Sequence, residues 1–176
     1  MRFTETPLGS AWLIELEPLR DERGFFARSW CAREFVEQGL ETRLVQCNIS
    51  WNAWAGTLRG MHYQAAPHAE VRLVRCTRGA IYDAIVDLRQ DSATYRRWYG
   101  VELTADNRRM LYVPEGFAHG FQTLSDDSEV FYQMSEFYHP ESARGVRWDD
   151  PAFGIRWPRP PAKMSERDRA YADWAS

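Results

Sequence analysis

Short β-prone runs, each closed within a few residues by a turn, are what most limits the fold of this chain. They read "RLVQCNIS", "GTLRGMHYQ", "EVRLVRC", "AIYDAIVDL", "YGVEL", "MLYVP", "GFQTL" and "EVFYQMSEFY", after an apolar "AWLIELEPL" near the start. Gly, Asp, Asn and Pro fill the gaps, as hairpins and tight loops require. Many short strands with close turns predict a β-sandwich or barrel, and a double-sheet jelly roll fits best. Helix is expected in two places. "CAREFVEQGL" (31–40) has helical spacing and stops at Gly39. "MSERDRAYADW" has Ser165 as N-cap with Asp168 three residues on, a weaker form of the capping box. With 176 residues and no repeat or linker, residues 1–176 are expected to form a single domain.

Composition removes several classes of function. Net charge is −3 and there is no basic run, so a nucleic-acid partner is not expected. Cys31, Cys47 and Cys76 are odd in number and form no CxxC pair, which argues against a disulfide framework or a zinc knot. The first residues hold proline and acidic groups where a signal peptide needs an apolar segment, and no run reaches membrane-spanning length. The expectation is a reduced, soluble, cytoplasmic protein. Eight Trp, eight Tyr and nine Phe suit a packed β core and also the stacking of a flat ligand such as a nucleotide base.

Strand alternation groups the polar residues. In "EVFYQMSEFY", Val130, Tyr132, Met134 and Glu136 share a face; in "EVRLVRC", Arg72 goes with Val74 and Cys76. If those faces are interior, Tyr132 and Arg72 enter a pocket. In "GTLRGMHYQ", Leu58, Gly60, His62 and Gln64 share a face, which puts Arg59 opposite His62. Either the chain bulges near Gly60 and re-aims Arg59, or Arg59 serves another part of the site. Each group also has an ordinary reading: a hydrogen-bonded core His62, a Tyr132 that fills space, an Arg72 paired with Glu70, an Asp168 that only starts a helix. "YVPEGFAHGF" adds His119 on a second strand-turn-strand unit. A metal needs three or four converging ligands. Residue 64 is Gln, and His68 is displaced beyond Pro67, so no metal site is expected there.

Taken in order, "DERGFF", "VQCNIS", "GTLRGMHYQ", "RLVRCTRGAIYDAIVDLR", "YVPEGFAHGF", "VFYQMSEFYHPE" and "RWDDPAFGIRWP" span nearly the whole chain. In these motifs it resembles the dTDP-4-dehydrorhamnose 3,5-epimerase family, metal-independent cupins that act on nucleotide-linked 4-keto-6-deoxy sugars. The resemblance implies a cupin-type double-stranded β-helix, a homodimer, no cofactor and no metal, in the deoxysugar supply for surface polysaccharide. It makes His62 the catalytic base, Tyr132 the acid and Asp168 the carboxylate that orients the base. It puts Arg72 where the family usually has a lysine near the sugar. Arg23, Gln46, Asn48, Arg59, His119 and Arg167 fall on substrate-contacting positions, and Tyr138 on the aromatic that stacks on the base. Arg28 and Ala143, also at substrate positions, stand where the family usually has glutamate. These departures leave open a C5-only or C3-only epimerase, or one acting on a related CDP-, GDP- or dTDP-linked sugar.

Overall fold

The computed structural model describes residues 1–174. Its elements begin with β1 (Arg2–Glu5), β2 (Trp12–Glu15), β3 (Leu19–Asp21), β4 (Gly24–Phe26) and α1 (Ala32–Glu37). Then follow β5 (Gln46–Asn52), β6 (Leu58–Gln64), β7 (Arg72–Arg78), β8 (Ala80–Asp87) and β9 (Trp98–Thr104). The last are β10 (Met110–Val113), β11 (Phe117–Thr123), β12 (Ser128–Met134), β13 (Ala143–Gly145) and α2 (Glu166–Arg169). One antiparallel sheet has the order β1-β2-β10-β7-β12-β5, and a second has the order β13-β6-β11-β8-β9. β3 and β4 pair only with each other. This is the double-sheet arrangement that the strand spacing predicts.

The alternation read from the sequence fixes which side chains meet between the sheets. Val74, Cys76 and Val130 from one sheet pack against Ile81, Ile85, Phe117 and Phe121 from the other, with Tyr132 against the same cluster. Apolar groups also cover part of each outer face. Phe35 of α1 joins Ile14, Leu73 and Met110 behind the first sheet. Phe153, Ile155, Trp157 and Trp174 join Met61, Ala84 and Val86 behind the second. α1 is shorter than its sequence pattern and stops where Gly39 turns left-handed (φ 70°), which a glycine does without steric cost. α2 is a single turn, started by Ser165 Oγ, which accepts from Asp168 N at 3.1 Å. β12 ends at Met134, so alternation does not extend to Glu136, which instead pairs with Arg43 at 2.7 Å.

One irregularity positions the site. On the β6–β11 pair, His62 faces His119 and Arg59 faces Phe121, so β6 uses one more residue than β11 to cover the same step. That is a β-bulge, and the extra residue reverses the face on which Arg59 would emerge. Gly60 is at the bulge with φ 130°, a region open to glycine. A Cβ at Gly60 would come within 2.5 Å of Gly120 Cα on the facing strand. Gly60→Ala is therefore expected to destabilise the protein by about 1–3 kcal/mol, read from the midpoint of urea unfolding. An unchanged midpoint would show that the bulge tolerates a side chain.

Candidate active site

The two sheets part around a cavity of about 820 Å³, within the range that takes a small-molecule ligand. His62 and Arg59 line it together, so the bulge, and not a separate role for Arg59, resolves the alternation problem. Tyr132, Arg72, Asp168, Gln46, Asn48, His119, Tyr138 and Arg167 line it as well. His62 belongs to the second sheet and Tyr132 to the first, so imidazole and phenol enter from opposing walls.

The His62 wall is built around a buried carboxylate. Asp168 Oδ1 lies 2.7 Å from His62 Nε2, and Asp168 Oδ2 accepts from Gly60 N at 3.3 Å. Burial alone would raise the Asp168 carboxyl; the His62 hydrogen bond and charge, then Gly60 N–H and Ser165, hold it below its ordinary value instead. A carboxylate can only accept, so Nε2 carries the hydrogen and Nδ1 keeps its lone pair. Nδ1 has no protein partner among the described residues. With its side chain 37% exposed, His62 therefore offers a basic nitrogen of fixed tautomer to the cavity and to water.

His119 shows the opposite arrangement. Its Nε2 lies 2.8 Å from Asp83 Oδ1, and its Nδ1 lies 3.3 Å from Arg72 Nη1. Guanidinium only donates, so Nδ1 accepts from Arg72 and Nε2–H donates to Asp83. Both nitrogens are committed, and the side chain is only 7% exposed. Arg72 is also held by Glu70, through Nε at 2.8 Å and through Nη2, and its Nη1 reaches His62 O at 3.3 Å. Four of its five N–H groups thus have protein partners, which leaves one for a ligand. The ordinary reading of Arg72, a pair with Glu70, holds alongside its place in the cavity.

At one end of β5, Gln46 Oε1 accepts from Tyr138 N at 3.2 Å, and at its other end Asn52 Oδ1 accepts from Arg59 Nε at 2.7 Å. Arg23 and Arg28 do not reach the cavity of their own chain. Asp21 takes Arg23 at 2.5 Å on the exposed β3–β4 turn, and Glu34 of α1 takes Arg28 at 2.8 Å. The sequence reading missed Asp83 as a partner of His119, although Asp83 alternates with Ile81 and Ile85 on the inner face of β8, a visible sign of a buried acid. It also missed Lys163, a cavity-lining cation placed by the hydrogen bond from Leu58 N to Lys163 O at 2.9 Å. No pattern in "PAKMSE" announces that position.

The depressed Asp168 carboxyl makes stability depend on acid. Its contribution is complete above its unfolded value of about 3.9 and is lost as pH falls through the lower folded value. Asp168→Asn is expected to cost about 1–3 kcal/mol at pH 7 and progressively less as the wild type is acidified below pH 4. Urea unfolding of both proteins at pH 7 and pH 3 reads this difference; a gap that widens in acid would contradict it.

A family model described as dTDP-4-dehydrorhamnose 3,5-epimerase matches residues 5–176. A protein of that name from Methanothermobacter thermautotrophicus is 47% identical over 171 residues, covering 96% of this chain and 91% of its own. The crystal structure of the Bacillus anthracis dTDP-4-dehydrorhamnose 3,5-epimerase, with TDP and PPi bound, aligns with a TM-score of 0.95 at 42% identity, covering 98% of this chain and 99% of that one. The Legionella pneumophila dTDP-6-deoxy-D-glucose-3,5-epimerase, in complex with dTDP-4-keto-L-rhamnose, gives a TM-score of 0.90 at 37% identity over 97% of this chain and 90% of its own. A match that runs the length of the chain in both sequence and fold shows that this protein belongs to the dTDP-4-dehydrorhamnose 3,5-epimerase family, cupin-fold sugar-nucleotide epimerases of the isomerase class.

Proposed function

We propose that this chain epimerises dTDP-4-dehydro-6-deoxy-D-glucose at C3 and C5, giving dTDP-4-dehydro-L-rhamnose. One observation carries the reading: a carboxylate-oriented imidazole and a phenol stand on opposing walls of one cavity. Inversion beside a ketone needs a proton removed from one face of the carbon and another delivered to the other face. His62 Nδ1 takes the proton, and Asp168 stabilises the imidazolium that forms. The electron pair moves onto the C4 oxygen as an enolate, beside the fixed positive charge of Arg72. Tyr132 then protonates the carbon from the far side. Exchange with water at the exposed His62 and reprotonation of Tyr132 restore the starting state. Tyr138 stacks on the base, while Arg59, Lys163 and Arg167 hold the diphosphate.

A homodimer follows from the same reading. Arg23 and Arg28 are assigned to substrate by resemblance, yet both lie outside their own cavity. The β3–β4 hairpin that leads to them exposes Leu19 and Phe26 at 72% and 73%, and β5 exposes Ile49 and Trp51. A second copy covers these apolar groups and receives the two arginines. The three cysteines are unpaired and no described helix is long and apolar enough to cross a membrane, and we place the protein in the reducing cytoplasm.

A second reading, single-carbon epimerisation or a different base, draws on Ala143, which lines the cavity with a methyl group where the family usually has a glutamate. Proton NMR of the dTDP-4-keto sugar in deuterated water is expected to show enzyme-dependent exchange at both C3 and C5. Exchange at one carbon supports the second reading, and none with any nucleoside diphosphate 4-keto sugar overturns both. His62→Asn and Tyr132→Phe are each expected to lower kcat by about 10²–10⁴-fold. Lys163→Met is expected to raise KM several-fold with kcat nearly unchanged, as loss of uniform binding does; an unchanged KM removes Lys163 from the diphosphate seat.

A further inference from the structure

Glu70 stands just before β7, and its side chain is 3% exposed beside the guanidinium of Arg72. The two carboxylate oxygens serve different partners. Oε1 accepts from Arg72 Nε at 2.8 Å and also from Arg72 Nη2. Oε2 accepts from Gln64 Nε2 at 3.2 Å. Gln64 is itself buried, and its amide donates to His68 O and Phe137 O, each at 3.0 Å, and accepts from His139 N at 2.6 Å. Glu70 is thus anchored to the surrounding loops through one oxygen and grips the guanidinium with the other.

That grip sets the direction of the one Arg72 N–H left for a ligand. The Nε–Nη2 edge faces Glu70, and Nη1 donates to His62 O and His119 Nδ1. The remaining hydrogen is the second on Nη2, and planarity points it along the edge between Nη1 and Nη2. Without the carboxylate, nothing holds the Nε–Nη2 edge, and the plane is free to tip. Gln64 loses little by the same change. Its two Nε2 hydrogens are shared among three acceptors, and two backbone carbonyls remain.

We propose that Glu70 is a positioning residue for Arg72, required because residue 72 is an arginine. The inference rests on the epimerase reading, in which Arg72 faces the C4 oxygen of the enolate. A lysine carries three rotatable donors on one nitrogen and has no plane to fix. At position 72 those donors match His62 O, His119 Nδ1 and the ligand oxygen, with no carboxylate needed. Beside Glu70, the same ammonium is drawn to the carboxylate and away from the ligand. Arginine therefore needs Glu70, whereas lysine works better without it, so the effect of Arg72→Lys changes sign with the residue at 70.

The test is steady-state epimerisation of the dTDP-4-keto sugar by a set of variants, with TDP affinity by calorimetry and Tm measured for each. Glu70→Met is expected to lower kcat by about 10–100-fold, as misplacement of a catalytic group does. Its KM and TDP affinity stay near wild type, as for a contact made only in the transition state. Arg72→Lys alone is expected to lower kcat, whereas Arg72→Lys added to Glu70→Met raises it several-fold above Glu70→Met. Wild-type kcat in Glu70→Met, a raised KM with kcat unchanged, or a double variant no faster than Glu70→Met overturns the proposal. Arg72→Met separates this result from the reading beneath it. A slow Arg72→Met with a fast Glu70→Met overturns the role of Glu70 alone, and wild-type turnover in Arg72→Met overturns both. Where Tm shows Glu70→Met unfolded at the assay temperature, Glu70→Gln, which keeps the volume and loses the charge, is judged by the same outcomes.

Discussion

The hydrogen bond between His62 and Asp168 joins parts of the chain that lie 106 residues apart. Asp168 is almost completely buried, and a buried carboxylate is costly unless its oxygens are satisfied. His62 takes one oxygen and the backbone N–H of Gly60, at the bulge, takes the other. The carboxylate thus secures the C-terminal turn against the irregular point of β6. The same contacts that fold this segment give His62 its tautomer, so the orientation of the cavity imidazole and local stability rest on a single group.

Two His–carboxylate pairs share the cavity, and their surroundings give them different capacities. His119 has Asp83 on one nitrogen and Arg72 on the other, with almost no exposure. His62 has Asp168 on one nitrogen and the cavity on the other. Only His62 can accept a proton from a ligand without first breaking a protein hydrogen bond. His119 is better placed to hold Arg72, whose position in turn depends on Glu70 and on His62 O.

Much of this was legible in the sequence because period-2 alternation is a local property. Val74 with Arg72, and Val130 with Tyr132, fell on inner faces as alternation requires, and the Ser165 cap formed as written. Arg59 was not legible in the same way. Its direction depends on a bulge stabilised by close approach of two strands at Gly60 and Gly120, a tertiary contact that no neighbouring residue reveals. Lys163 likewise reaches the cavity through a bridge to Thr57, far away in sequence. Arg23 and Arg28 were legible only by resemblance, and the single chain gives them other partners, Asp21 and Glu34.

Arginine at position 72 narrows the division of labour in the cavity. A lysine there would be a flexible point charge whose pKa shifts readily on burial, and so a possible proton carrier. A guanidinium stays protonated, and this one is fixed in plane by Glu70, His62 O and His119. It can stabilise an enolate oxygen, but it has no proton to give and no freedom to follow one. In the proposed epimerisation, delivery to the carbon therefore falls to Tyr132 on the same sheet, next to Val74 in the β12–β7 register. The planar cation and the phenol occupy neighbouring strands, so in that proposal charge stabilisation and proton donation come from one wall while abstraction comes from the other.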